Sequence, residues 1–161
     1  MRSIVADTRY RFDIAAETLI PAIVRWRRYH GVVDQGRARE VGGRLATSVD
    51  HRLLRWRTLR ALAAGTIVRE DVCDAGFELS RAASAFGIPR GVVCPVCAAD
   101  ALREVAFAFG KGLPHEGQVV GGTLVEEALD AVPDVRLFRV EVCLACRWNF
   151  VIEERGHTGV R

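Results

Sequence analysis

Two closely spaced pairs of cysteines constrain this chain more than any other feature of its sequence. Cys94 and Cys97 enclose Pro-Val, and Cys143 and Cys146 enclose Leu-Ala, so both pairs have the form C-x-x-C. Two intervening residues allow a tight turn to direct both sulfur atoms at one ion, and a second such turn completes a tetrahedron. The sequence therefore predicts that these four cysteines bind one Zn²⁺ ion.

The segments around the cysteine pairs indicate a zinc ribbon, in which each pair lies in the turn of a hairpin. Segments with strand character flank both pairs, at residues 91–93, 102–109, 137–142 and 148–152. The 45 residues from 98 to 142 separate the pairs, whereas roughly 15–20 is the commoner spacing. The longer loop costs only about 0.9 kcal/mol in closure entropy, against on the order of 10 kcal/mol from a structural zinc ion. We therefore expect a ribbon with a long excursion between its hairpins.

The same four cysteines allow a second interpretation, as a thiol redox or zinc-responsive sensor. A thioredoxin-type C-x-x-C lies at the N-terminus of a helix, whereas strand-like residues 148–152 follow the second pair, which argues against redox catalysis. A zinc ion with four thiolates has no open position for a water molecule. The chain also lacks the G-x-S-x-G, phosphate-loop and H-E-x-x-H motifs. We therefore expect a protein that is not an enzyme.

Composition indicates a cytoplasmic protein and an uneven distribution of charge. Residues 1–70 contain 14 Arg against 7 Asp and Glu, a balance of +7, and residues 71–161 contain 9 Lys and Arg against 13, a balance of −4. Four of the five cysteines lie in C-x-x-C pairs, which suits a reducing compartment. No apolar run approaches the length needed to cross a bilayer. The excess of arginine is consistent with phosphate recognition or with a bias in codon usage.

Periodicity predicts an α+β fold, with N-terminal helices docked on a four-cysteine zinc ribbon of antiparallel hairpins. Residues 9–30 have a helical pattern, and residues 31–48 read as a linker with a short helix at 37–46. Two further helices are expected at 50–64 and 77–86, and a glycine-rich loop at 110–122 precedes a short helix at 123–131. The helix at 50–64 is expected to bury an apolar stripe of Leu53, Trp56, Leu59 and Leu62.

The chain from Val49 to about Gly156 resembles an actinobacterial family catalogued as a domain of unknown function, number 5318. The segments that carry the resemblance are 49–53, 69–75, 94–97, 102–105 and 140–149. The resemblance implies a zinc-ribbon architecture and an actinobacterial, cytoplasmic origin, and it implies no activity. It suggests three parts: residues 1–48 as a helical extension and linker or the product of a misassigned start codon, 49–156 as the domain, and 157–161 as a tail.

The expected function is binding, with zinc stabilising a surface for a protein partner, by analogy with zinc ribbons of the transcription machinery. Trp148 and Asn149, beside the second cysteine pair, are candidates for that contact, although Trp148 is also expected to pack over the metal site. The alternative is nucleic-acid binding through Arg52, Arg55 and Arg60, which are spaced to share one face of a helix.

Overall fold

An antiparallel β-sheet forms most of the structure. The computed structural model describes residues 37–41, 44–113, 117–120 and 134–159. Within them the sheet has the strand order β1-β2-β7-β6-β4-β3, and β5 pairs with the outer part of β4. The strands are β1 (Arg37–Val41), β2 (Arg44–Asp50), β3 (Ile88–Pro89), β4 (Leu102–Gly110), β5 (Gln118–Val120), β6 (Val135–Cys143) and β7 (Asn149–Gly159). Two helices, α1 (Arg52–Ala63) and α2 (Phe77–Phe86), accompany the sheet, and a short 3-10 helix spans Arg69–Asp71.

The predicted architecture of N-terminal helices docked on a small ribbon is wrong, because the two cysteine hairpins belong to one larger sheet. β4 pairs with β6 along its whole length, from Leu102 opposite Cys143 to Gly110 opposite Val135. Of the residues read as a linker and short helix, 37–41 form β1 and 44–48 belong to β2, and β2 pairs with β7. Ala46, Thr47 and Val49 are half-buried, whereas Ser48 and Asp50 are exposed, so exposure alternates from Thr47 to Asp50. This period of two marks a strand that is covered on one face.

The predicted division of the chain into parts stays a prediction, although β2 runs across the proposed boundary at residue 48. The helices predicted at 9–30 and 123–131 lie outside the described residues. In the segment predicted as a glycine-rich loop, residues 118–120 form strand β5. Within the described part of the chain, no helix combines the length and the apolar character that crossing a membrane requires.

Helix α2 has the predicted bounds and covers one face of the sheet. It ends at Phe86 with Gly87 as its C-cap, and Pro89 follows in β3, so the backbone cannot continue the helix. Its inner face buries Leu79, Ala82 and Ala83 against the sheet, whereas Phe86 is exposed. The core that α2 shares with the central strands consists chiefly of Val105, Phe107, Phe138, Val140, Val142 and Val151.

Helix α1 has a different buried face from the one predicted. Leu53 and Trp56 are 61% and 53% exposed, whereas Thr58 is buried. Leu59 belongs to the predicted stripe and packs only partly against the core. The reason lies in the turn that carries Arg55, whose side chain points toward the sheet and pairs with Glu141. An ion pair thus sets the rotation of α1 about its axis, and the apolar stripe read from the sequence lies partly in solvent.

Candidate metal centre

The two C-x-x-C turns have the same backbone geometry. In each turn the residue after the second cysteine, Ala98 or Arg147, donates its N–H to the carbonyl of the first cysteine at 2.9 Å. The N–H of the first cysteine then donates to the carbonyl five residues further along, at 2.9 Å in the first turn and 2.8 Å in the second. Ala98 and Arg147 adopt positive φ values of 59° and 66°, a conformation that costs a non-glycine residue on the order of 1 kcal/mol. The repeated geometry indicates one structural role for both turns.

The turns lie at the ends of paired strands, and this pairing brings the four sulfur atoms together. The first turn follows β3 and leads into β4, while the second joins β6 to β7. Because Leu102 lies opposite Cys143, the start of β4 is adjacent to the end of β6. The N–H of Leu144 also donates to the carbonyl of Ala101 at 3.0 Å, which joins the second turn to the residue before β4.

The four sulfur atoms form a cluster that can hold a metal ion. The Sγ atoms of Cys94 and Cys146 are 3.6 Å apart, those of Cys97 and Cys143 are 3.7 Å apart, and all four lie within 4.8 Å of one another. A tetrahedral zinc site with Zn–S bonds of about 2.3 Å has sulfur–sulfur edges of about 3.8 Å. The donor set and its spacing therefore fit such an ion. The sulfur atoms are much further apart than the roughly 2.05 Å of a disulfide.

The surroundings of the cluster affect the thiols differently. Burial raises the pKa of the Cys94 thiol well above its usual range, although backbone N–H groups within the turn oppose the effect. Burial likewise raises the pKa of Cys143. Burial also acts on Cys146, but the N–H of Trp148 and the neighbouring thiols outweigh it and lower the pKa of Cys146 to about 7. Cys146 is therefore the thiol of these three that loses its proton most readily.

The fifth cysteine lies beside the cluster. The Sγ of Cys73 is 3.9 Å from the Sγ of Cys146. Burial raises the pKa of Cys73 to about 11. The side chain of Arg69 donates hydrogen bonds to Cys73 and Cys146, which raises the pKa of Arg69. A guanidinium group thus lies over the half-buried edge of the cluster, where a four-thiolate metal site would carry negative charge.

A buried carboxylate behind the second turn is a functional group that the sequence analysis missed. Glu141 is 1% exposed, and its Oε1 accepts hydrogen bonds from Trp148 Nε1 at 2.8 Å and from Arg55 Nε at 2.5 Å. Trp148 is fully buried and stacks on Phe150, with ring centroids 5.8 Å apart. The signal in the sequence was a glutamate between two valines of an apolar strand, two residues before a cysteine. Glu141 thus connects helix α1 to the cysteine turn.

The residues predicted to bind a partner lie in different places. Arg52 and Arg60 are exposed on α1, and Arg60 lies 5.1 Å from the ring of Trp56, while Arg55 faces Glu141. Asn149 donates its side-chain N–H to Asp74 at 3.0 Å. Trp148, as its burial shows, packs inside the domain and is not presented to solvent. The three arginines therefore do not share one exposed face, and binding by any of these five residues stays a prediction.

Fold and site together define an antiparallel β-sheet protein with a four-cysteine cluster, at the ends of two hairpins, that can hold a metal ion. Comparison with known proteins gives the particular family. A family model described as "Family of unknown function (DUF5318)" matches residues 44–157, and the chain belongs to this family. The resemblance inferred from the cysteine turns and their flanking segments is thereby confirmed.

The relatives come from actinobacteria. An uncharacterised protein of Mycobacterium tuberculosis (strain H37Rv) is 33% identical over 109 residues, which cover 65% of this chain and 77% of the relative. An uncharacterised protein of Mycobacterium bovis matches with the same identity and coverage. No solved structure matches the chain.

Proposed function

We propose that the four cysteines hold a structural zinc ion and that the domain is a binding module without enzymatic activity. The observation that carries the proposal is the spacing of the sulfur atoms. The distances of 3.6 and 3.7 Å agree with the edges of a tetrahedral zinc–thiolate site. Four protein ligands leave no position for a reactive water molecule, which favours a structural role over a catalytic one.

The role of the zinc ion is to join two hairpins that are distant in sequence. Cys94 and Cys143 are buried in the same core as Leu102 and Trp148, so loss of the metal would leave buried thiolates or thiols without their partner. Structural zinc contributes on the order of 10 kcal/mol in small zinc domains. We expect the end of the sheet nearest the cysteines to depend on the metal, and the more distant part to depend on it less.

Metal analysis and matched cysteine variants test the zinc site. The purified chain is expected to carry one zinc ion, measured by plasma mass spectrometry. Cys143→Ser is expected to lose it, because Cys143 belongs to the group of four. Cys73→Ser is the control, since it removes a thiol beside the site and is expected to retain the metal. Iron in place of zinc would contradict the choice of metal, and full stability after chelation would contradict the structural role.

The proposed partner is a protein, and the exposed face of α1 supports this choice. Leu53 and Trp56 are more than half exposed there, and tryptophan with arginine is a combination that recurs at the centre of protein interfaces. The Trp56→Ala variant is expected to lose partners that co-purify with the wild-type chain at about physiological salt, with zinc content unchanged. Steeply salt-dependent binding of random nucleic acid instead would favour the nucleic-acid alternative.

The position of Cys73 supports a second candidate function, a sensor of oxidants. Hydrogen peroxide would oxidise the Cys73 thiol and the zinc-bound Cys146 thiolate to a disulfide. With one proton taken from the solvent, two water molecules are released, and the zinc ion loses one ligand. Their present sulfur–sulfur distance of 3.9 Å requires only a small approach to form the bond. Cys73→Ser is then expected to slow zinc release under peroxide. Equal release from the wild type and the variant would refute the sensor.

A further inference from the structure

A cleft at the junction of β2, β7 and β6 lies apart from the cysteine cluster. It has a volume of about 250 Å³ and is lined by Asp50, Arg52, Arg90, Arg139, Ile152, Glu153 and Arg155. A β-bulge is located here, because β6 and β7 change register between Arg139 and Val140. The carbonyl of Ile152 accepts the N–H of His51 at 2.9 Å, which fixes the start of α1 at the cleft. Bulges often occur next to functional sites.

Ion pairs connect most of the charged side chains around the cleft into one linear network. Arg139 bridges two glutamates, with Nε 2.9 Å from Glu104 and Nη1 2.8 Å from Glu153. Arg90 also pairs with Glu104, and Arg155 Nε is 2.8 Å from Glu153. The charges in this network therefore alternate, and it ends in an arginine on both sides, in the order Arg90, Glu104, Arg139, Glu153 and Arg155. The separate pair of Arg52 and Asp50 completes the lining.

The arginine side chains of this network are more exposed than the glutamate side chains that pair with them. The side chains of Glu104 and Glu153 are 17% exposed, whereas those of Arg139 and Arg155 are both 41% exposed. Arg52 is 76% exposed. Four arginines and three carboxylates also leave an excess of one positive charge. Apart from Asp50, whose side chain is 49% exposed and pairs with Arg52, a solute that enters the cleft therefore meets mainly arginine.

We propose that this cleft binds the phosphate group of a small anionic ligand. Arg155 uses its Nε for Glu153, and Arg90 uses one terminal nitrogen for Glu104. Among the described residues, no partner is found for the remaining N–H groups of these two arginines. A tetrahedral phosphate can accept from several guanidinium groups at once, often in bidentate pairs. Glu104 and Glu153 fix the arginine side chains in advance, so the binding site is formed without the ligand.

The size and chemistry of the cleft indicate the class of ligand. A volume of about 250 Å³ lies below the roughly 300–1,000 Å³ of sites for drug-sized ligands. No aromatic side chain lines it, so it offers no surface on which a nucleobase could stack. We therefore infer a free phosphate or a small phosphomonoester, and not a nucleic acid.

Titration of the full, zinc-loaded chain with inorganic phosphate tests the proposal, with the arginine Nε–H signals followed by NMR at an ionic strength of about 0.1 M, where distant charges are screened. Saturable shifts of the cleft arginines are expected. Arg155→Gln is expected to weaken binding about tenfold, the effect of losing one charge-assisted contact. The fold should survive, because Glu153 keeps its bond to Arg139. Zinc content provides a check on the fold.

Arg57→Gln is the matched control, because Arg57 is an exposed arginine of α1 that does not line the cleft. It is expected to change phosphate binding by less than about twofold, the effect of a screened distant charge. Equal weakening by both variants, or shifts that do not saturate, would mean that only the general positive charge attracts phosphate and would overturn the proposal. Tighter binding of a short single-stranded oligonucleotide than of phosphate, lost in Arg155→Gln, would overturn the choice of ligand.

Discussion

Replacing Arg55 with leucine is expected to destabilise the protein strongly, because Glu141 would remain buried without its positive partner. Glu141 is 1% exposed and would keep only its contact with Trp148 among the bonds described above. Breaking a buried ion pair from one side costs about 3–5 kcal/mol. The side chain of Arg55 is 25% exposed, so water can partly replace it, and we expect about 3 kcal/mol. For a chain of this size that lowers Tm by about 6–12 °C.

Urea unfolding in the presence of excess zinc measures this cost, and constant metal keeps the comparison free of changes in zinc occupancy. Arg57→Leu, an exposed arginine of the same helix, is the control and is expected to change stability by less than about 0.5 kcal/mol. The double variant Arg55→Leu/Glu141→Gln removes both charges while the amide can still accept from Trp148. It is expected to be more stable than Arg55→Leu alone. Strictly additive effects, or equal effects of the two leucine variants, would refute the argument.

Three further predictions concern the turns and the metal. Gly87→Ala is expected to lower the free energy of unfolding by about 1–3 kcal/mol, because the new Cβ would lie 2.2 Å from the carbonyl oxygen of Ala83. The control is Gly76→Ala, whose Cβ meets no atom within 4 Å. Thermal melts compare the two variants. Asp50→Ala is expected to cost about 1 kcal/mol near neutral pH, because the N–H of Arg52, the first residue of α1, would lose its hydrogen bond to Asp50 Oδ1. The hydrogen bond from the side chain of Arg52 lowers the pKa of Asp50 to about 2. This stabilisation is therefore present above the unfolded pKa of about 4 and is lost as the pH falls toward 2. The acid unfolding curves of the wild type and of Asp50→Ala should converge there. Zinc affinity, measured with a chromogenic chelator, is expected to fall between about pH 8 and about pH 5, because protons compete for thiolates such as that of Cys146; a flat profile would contradict thiolate ligation.

The cysteine turns and helix α2 could be predicted from sequence because local chemistry determines them. Two residues between cysteines favour a tight turn, and Gly87 with Pro89 ends a helix wherever the rest of the chain lies. Which face of α1 is buried could not be predicted in the same way. Leu53 and Trp56 have helical spacing, but the buried face is set by Arg55 and its partner 86 positions away. No periodicity within α1 contains that information.

Strand β2 was missed because its evidence is also distant. Its seven residues, Arg44–Asp50, are mostly polar or small, and a single strand of this kind resembles a linker until β7 is placed beside it. The pairing of β2 with β7 also bears on shortened forms of the protein. A chain that begins at Thr47 would lack β1 and three residues of β2, so we expect it to melt at a lower temperature than the full chain.

The pairing of β2 with β7 has a consequence for how the protein is made. Ser48 bonds to Glu153, which lies 105 positions later in the chain. At about 5–20 residues per second, a ribosome needs roughly 5–20 s to cover that distance. During this interval β2 has already been synthesised, but β7, which pairs with one of its two edges, has not. The sheet can close only after β7 has left the exit tunnel, so the nascent chain carries an open edge, prone to pairing with other chains, for most of its synthesis.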